Sequence, residues 1–410
     1  EVTRYFYTAV GTRDYMLLPN GVKTDYTYDE LNRLTGLTHV DSSDTLLASF
    51  DYQLRADGRR AGVVETVLEA TGLQTTNVAY QYDNLNRLVS EQYMVNGSQA
   101  RHQTYAYDTV GNRIQKAITT PATVETIDYI YNDGDQLISE TSTDANVGTI
   151  NYAYDLNRSL VSKSNASTGE AESYTYNLDQ RLWTADVNRI GQDSLGQDHD
   201  VTAFSTYLYD GSGIRTHADQ VTAIDGGASQ SEAIQWLNDP GNFTGYSQVL
   251  EEYSSQVANG PKMTYTIGDD VISQSKNGVI SHLNYDGHGS TRLLTDAVGV
   301  ISHTYHYDGY GVSINPARDA EQVPNLANTP ETTMLYSGEQ HDSVLDMQYL
   351  RARHYSYTNA QFNRLDPFEG DQSEPQSFNK YSYTHGDPVN AIDPSGLRTL
   401  VNISVALLVE

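Results

Sequence analysis

Along most of this chain, apolar or aromatic residues alternate with polar ones at a period of two, the mark of strands with one buried face. "RLTGLTHV" and "RLVSEQYMV" read this way, and no long amphipathic helix is predicted anywhere. The alternation is organised by a repeat: "YTYDELNRL" from Tyr26, "YQYDNLNRL" from Tyr80, "YAYDTVGNRI" from Tyr105, "YIYNDGDQLI" from Tyr129, "YAYDLNRSLV" from Tyr152, "YTYNLDQRLW" from Tyr174 and "YLYDGSGIRT" from Tyr207. Neighbouring copies are often about 22 to 25 residues apart, within the range of repeat arrays. Both rings of Tyr-x-Tyr fall on one strand face, the Asp or Asn with a following Gly or Asn makes a tight turn, and Arg-Leu begins the return strand. Each repeat is therefore a hairpin. Asn-Gly pairs at Asn20, Asn96 and Asn277 add further hairpin turns.

Composition narrows what such a protein can do. Tyrosine, at 32 against 7 Phe and 2 Trp, suits half-buried strands with a polar tip at water. The 53 acidic and 25 basic residues give a net charge of -28, which disfavours nucleic acid and anionic membrane surfaces as partners. There is no Cys, so disulfides and thiolate metal sites are excluded. No apolar run approaches the roughly 20 residues of a membrane span. The chain opens at Glu1 with no initiator Met and no signal-like segment, which reads as a fragment or processed product. A polar, Gly-rich stretch at about 188–260, including "RIGQDSLGQDHD" and "AIDGGASQSEA", is expected to form longer surface loops. His303 and His306, three apart on a presumed strand, project to opposite faces and read as structural residues; no metal or cofactor is expected.

The Tyr-Asp pattern, over about residues 5 to 315, resembles the YD repeats of the RHS family, which also occur in the C subunits of insecticidal Tc toxins and in teneurins. The resemblance implies an all-β fold, in which antiparallel hairpins spiral into a hollow shell around another polypeptide. The Tyr rings are expected to be ladder rungs between strands, with stacking on sugars as the alternative.

From Leu335 the sequence changes to "LYSGEQHDSVLDMQYLRARHYSYTNAQFNRLDP" and then "NKYSYTHGDPVNAIDPSGL". This resembles the RHS-associated core, which in that family plugs the end of the shell and cuts its own chain after the Leu of D-P-x-G-L, in an aspartic-protease-like reaction. Arg353 matches the second Arg of the R-A-R element, Asp366 the first D-P aspartate and Asp393 that of D-P-x-G-L; the scissile bond would join Leu397 to Arg398. Two carboxylates in opposite protonation states can activate water and protonate the leaving group, and an arginine can hold one of them charged or stabilise the developing oxyanion. Asp-Pro is also a common turn dipeptide, and Asp387 in "HGDPVN" reads as a turn. His354 stands where the family usually has Tyr, and "SYTNA" replaces its usual Asp-Pro.

The resemblance thus implies a YD-repeat shell over 1–330, a self-cleaving core over 331–397 and the start of a cargo or variable region over 398–410. The function expected is that of a bacterial, secreted or cell-surface toxin shell. Its partners would be its own C-terminal effector and other toxin-complex or secretion-system proteins. The alternatives are a non-enzymatic, teneurin-like adhesion or glycan-binding protein, and an extracellular structural assembly.

Overall fold

A computed structural model describes residues 2–193, 195, 197–242, 244–322 and 326–401. Most of the segment expected to begin the cargo region, 402–410, lies outside the described residues. Among those described, 25 strands from Arg4–Tyr7 to Ile301–Thr304 form one sheet, each pairing antiparallel with the next in sequence. The fold is all-β, as the alternation predicts.

The repeat explains both the turns and the curl. In the turn from Asp29, the carboxylate Oδ1 accepts the N–H groups of Leu31 and Arg33, each at 2.9 Å, and Asn32 takes a left-handed backbone at φ 58. The same arrangement recurs from Asp83 with Asn86 at φ 64, and from Asp108 with Gly111 at φ 98. Asn and Gly tolerate that backbone best, so the repeat's spacing follows from turn chemistry. The pairing register slips at the second Tyr, as at Gln81/Tyr82, Ile130/Tyr131, Ala153/Tyr154, Thr175/Tyr176 and Leu208/Tyr209. A bulge bends its strand and increases the right-handed twist. One bulge per hairpin therefore coils the sheet, and its first strands meet its last: Asn20 Nδ2 donates to Thr295 Oγ1 at 3.0 Å, and Arg292 Nη1 donates to Glu65 Oε1 at 3.0 Å.

The tyrosine pairs face the concave side. The first ring of each pair is buried at Tyr105, Tyr129, Tyr152, Tyr174 and Tyr207. The second donates its hydroxyl to a backbone carbonyl of the neighbouring hairpin: Tyr82 to Arg60, Tyr107 to Leu88, Tyr176 to Leu160 and Tyr209 to Leu182, at 2.6–2.9 Å. These rings are rungs that join successive hairpins, with faces turned inward rather than toward solvent.

The loops expected at 188–260 are not there. That stretch contains some of the longest strands of the sheet, including Leu182–Gln192, Asp198–Tyr209, Arg215–Ile224 and Gln230–Asp239. Buried and outward positions alternate, as in the buried Val201, Ala203, Ser205 and Tyr207 of Asp198–Tyr209. Gly191 lies within Leu182–Gln192, and Gly226 and Gly227 fall in the turn between Arg215–Ile224 and Gln230–Asp239.

Beyond Thr304 the chain enters the concave side. A four-stranded sheet of Gln340–Asp342, Met347–Leu350, Arg353–Ser356 and Gln361–Phe362 lies there. Met334, Leu345 and Met347 join one apolar cluster with the repeat tyrosines Tyr129, Tyr152, Tyr174 and Tyr207. Polar ties reinforce this packing, with Arg189 Nη2 donating to Val344 O at 2.8 Å and Tyr381 Oη to Arg158 O at 2.8 Å.

Candidate functional site

The site begins in a two-residue hairpin turn. Leu350 pairs with Arg353, leaving Arg351 and Ala352 at the bend, and Arg353 opens the return strand with its side chain buried. The Phe362 ring lies 3.6 Å from the Arg353 guanidinium carbon and seats it in place. Arg353 Nη2 donates to Asp366 Oδ2 at 2.7 Å and lies 3.7 Å from Asp393 Oδ2. One guanidinium nitrogen therefore stands between the two aspartates. Its Nε donates to Gly396 O and its Nη1 to Lys380 O, the latter at 3.1 Å.

Asp366 is fixed by its backbone N–H on Lys380 O at 3.0 Å and by Phe368 N–H on its Oδ1 at 2.8 Å. Its side chain keeps 15% of its surface open to solvent, against 3% for Asp393. Asp393 follows the strand Ala391–Ile392, which pairs with Leu400–Val401, so "DPSGLRT" is the loop of a small hairpin. That loop reuses the turn chemistry of the repeat. Asp393 Oδ1 accepts the N–H of Leu397 at 3.1 Å, four residues on, and Gly396 takes φ 66, just as Asn32, Asn86 and Gly111 take positive φ three residues after Asp29, Asp83 and Asp108. It adds the N–H of Arg398 at 3.0 Å and the Ser395 hydroxyl at 3.1 Å. The Asp393 carboxylate thus touches the amide nitrogen of the Leu397–Arg398 bond, while Leu397 and Arg398 themselves are exposed.

Charge separates the groups. Burial raises the pKa of Asp393, outweighing the opposing pull of Arg353 and of the amides of Arg398 and Leu397. Burial lowers that of Arg353 to about 10 against the two aspartates, which still leaves it cationic at neutral pH. The arrangement places a buried aspartate against a peptide nitrogen, a second, more open aspartate nearby and an arginine between them, residue types suited to hydrolysis by general acid and base.

Arg353, Asp366, Asp393, Leu397 and Arg398 are brought together. Asp387 is tied instead to Arg59 at 3.0 Å and Asn390 at 2.7 Å, consistent with a turn residue. His303 is exposed while His306 is buried against Glu69 at 2.7 Å, so the two share no site. Among the described residues no group of three or more metal-binding side chains occurs. Two further residues at the site are not signalled by the sequence: Arg351, the other arginine of R-A-R, and Glu339, whose "SGEQHD" context carries no catalytic pattern. Arg351 Nη1 donates to Glu339 Oε2 at 2.8 Å and to Pro394 O.

No family model matches the chain. It is 27% identical over 398 residues to the tRNA3(Ser)-specific nuclease WapA of Bacillus spizizenii, and 26% identical over 394 residues to the tRNA nuclease WapA of Bacillus subtilis. Each match covers 95% of this chain and 14% of the relative, so the chain spans about a seventh of those proteins. Among solved structures, a TcdB2-TccC3 crystal structure aligns over 96% of this chain and 20% of that one, with a TM-score of 0.60 and 19% identity. The structure of the Photorhabdus luminescens Tc holotoxin pore aligns over 98% and 20%, with a TM-score of 0.60 and 17% identity. Coiled sheet, bulged hairpins and inward tyrosine rungs define a β-shell protein. The chain has the fold of these structures, and its Tyr-Asp repeats resemble those of RHS/YD-repeat proteins.

Proposed function

We propose that this chain is the closing end of an RHS-repeat toxin shell and that it cuts its own backbone between Leu397 and Arg398. The observation that carries this reading is the contact of Asp393 Oδ1 with the Arg398 amide at 3.0 Å, in a site where Arg353 Nη2 also holds Asp366 at 2.7 Å. Asp366, the more open carboxylate, takes a proton from a water that attacks the Leu397 carbonyl carbon. Asp393, whose pKa burial raises, is the source of the proton that the Arg398 nitrogen takes up as the C–N bond breaks. The products are a carboxyl group on Leu397 and an amine on Arg398. Arg353 opposes the charge that develops in the pocket. The reaction occurs once per chain and takes no metal or cofactor.

The physical logic is that a cargo still bonded to its container cannot be threaded out of it. The chain beyond Leu397 would be the effector, and the shell would belong to a secreted bacterial toxin with toxin-complex proteins as its partners. The net charge of -28 argues against contact of these residues with RNA, so the tRNA-directed activity named for the relatives is not assigned to them. Denaturing mass spectrometry of the purified chain tests the cut. Wild type should give two species divided at Leu397–Arg398, and Asp366→Asn and Asp393→Asn should stay whole. A wild type that stays as intact as both variants would falsify self-cleavage.

A further inference from the structure

Three consecutive residues at the hairpin bend meet three consecutive carbonyls of the loop. Arg351 Nη1 donates to Pro394 O, the Ala352 backbone N–H to Ser395 O at 3.2 Å, and Arg353 Nε to Gly396 O. The next carbonyl along the loop is that of Leu397. We propose that Arg351 is a positioning residue: with Ala352 and Arg353 it forms a three-point grip that sets which peptide bond is presented to the aspartates. The inference rests on the self-cleavage reading above.

The grip is itself anchored on both sides. Arg351 Nε donates to Ser247 O of the shell at 2.9 Å, its Nη1 is paired with the buried Glu339, and its guanidinium lies 5.5 Å from the Tyr246 ring. Arg364 holds the carbonyl of Ala352 through Nε at 3.2 Å and Nη2 at 2.8 Å. Every donor of the grip is thereby fixed to the shell or the core before it reaches the loop, which is the preorganisation a reacting geometry requires. Backbone conformation points the same way. Arg351 sits at φ 58 in a two-residue hairpin, where Gly or Asn would be less strained. Its place in that turn is explained by what its side chain reaches rather than by the turn.

A purely structural role for the Arg351–Glu339 pair predicts something different, and two variants separate the possibilities. Arg351→Lys keeps a cation beside Glu339 but lacks the planar fork that spans Ser247 O, Glu339 and Pro394 O at once. It should retain the wild-type urea midpoint and yet split at least ~10-fold more slowly in a mass-spectrometric time course. Arg351→Met should split more slowly still. In an Asp366→Asn background, where the chain stays whole, adding Arg351→Met should speed hydrogen exchange at the Leu397 and Arg398 amides. Wild-type cleavage rates in both single variants, or unchanged exchange in the double variant, would overturn the grip while leaving self-cleavage standing. An intact wild-type chain would instead remove the self-cleavage reading, and the grip with it.

Discussion

Replacing Gly396 by Ala should slow the cleavage without unfolding the shell. Gly396 has φ 66, and a Cβ added there would lie 2.5 Å from Leu350 O and 3.0 Å from Arg353 N. Both are backbone atoms of a buried hairpin, so the loop must retreat on the order of 1 Å to recover ordinary contact, and a misplacement of that size can cost about 100-fold in rate. The left-handed backbone costs an L-residue a further ~1–2 kcal/mol, a loss that a chain of this size can absorb. Gly97→Ala is the matched control: Gly97 has φ 82, but nothing lies within 4 Å of its added Cβ. It carries the backbone penalty without the collision. In a time course by denaturing mass spectrometry, Gly97→Ala should split at the wild-type rate and Gly396→Ala about 100-fold more slowly, with both folded by circular dichroism. Equal rates for Gly396→Ala and wild type would refute the claim that close packing of this loop on the hairpin governs the reaction.

Other consequences are open to measurement. Tyr209→Phe removes a rung whose hydroxyl lies 2.8 Å from Leu182 O; it should cost about 1 kcal/mol, seen as a lower urea midpoint at unchanged m-value. Buried titratable groups tilt stability with pH in opposite senses. Burial lowers His39 and His288 to about 4 and His354 to about 3, so as pH falls below 6.5 the unfolded chain gains protons that the fold refuses, and stability drops. Burial raises Glu91 and Asp346 to about 7, so from about pH 4 up to that value the fold keeps protons that the unfolded chain has already lost, and stability declines as pH rises across this window. Relative to wild type, Glu91→Gln should gain in thermal midpoint between pH 5 and pH 8, and a difference that does not change with pH would contradict this reading. Because burial raises the Asp393 pKa, the cleavage rate should fall as pH rises past the point where that group ionises; a rate that climbs across the whole measurable range would exclude it as the acid.

Much of the fold is written in short-range terms. The period of two, the inward Tyr-x-Tyr pair, the aspartate that binds amides two and four residues ahead, and the Asn or Gly three residues on all act within one hairpin. Those interactions need no distant partner, which is why an all-β chain of stacked hairpins is legible in the residues alone. The same rule predicts a bend at Asp393 and explains its shape, because that loop repeats the turn of every YD unit. Composition misleads where it is set above pattern. The stretch from 188 to 260 looks like loops from its Gly, Ser and Gln content, yet its alternation of buried and exposed positions makes strands of it.

What tertiary structure decided is which of the bends acquires chemistry. Asp366, Asp387 and Asp393 share the Asp-Pro dipeptide, and nothing local separates them. Folding delivers two of them to Arg353 and the third to Arg59, a residue 328 positions away. Likewise Arg351 and Glu339 draw their roles from Pro394 and Ser247, at separations of 43 and 104 residues from Arg351. Such contacts depend on curvature summed over 25 bulged and twisted strands and on a C-terminal segment packed into the resulting hollow. Hairpin chemistry is local and travels with the sequence; the meeting of an arginine, two aspartates and one peptide bond depends on contacts across 13 to 43 residues of the packed C-terminal segment.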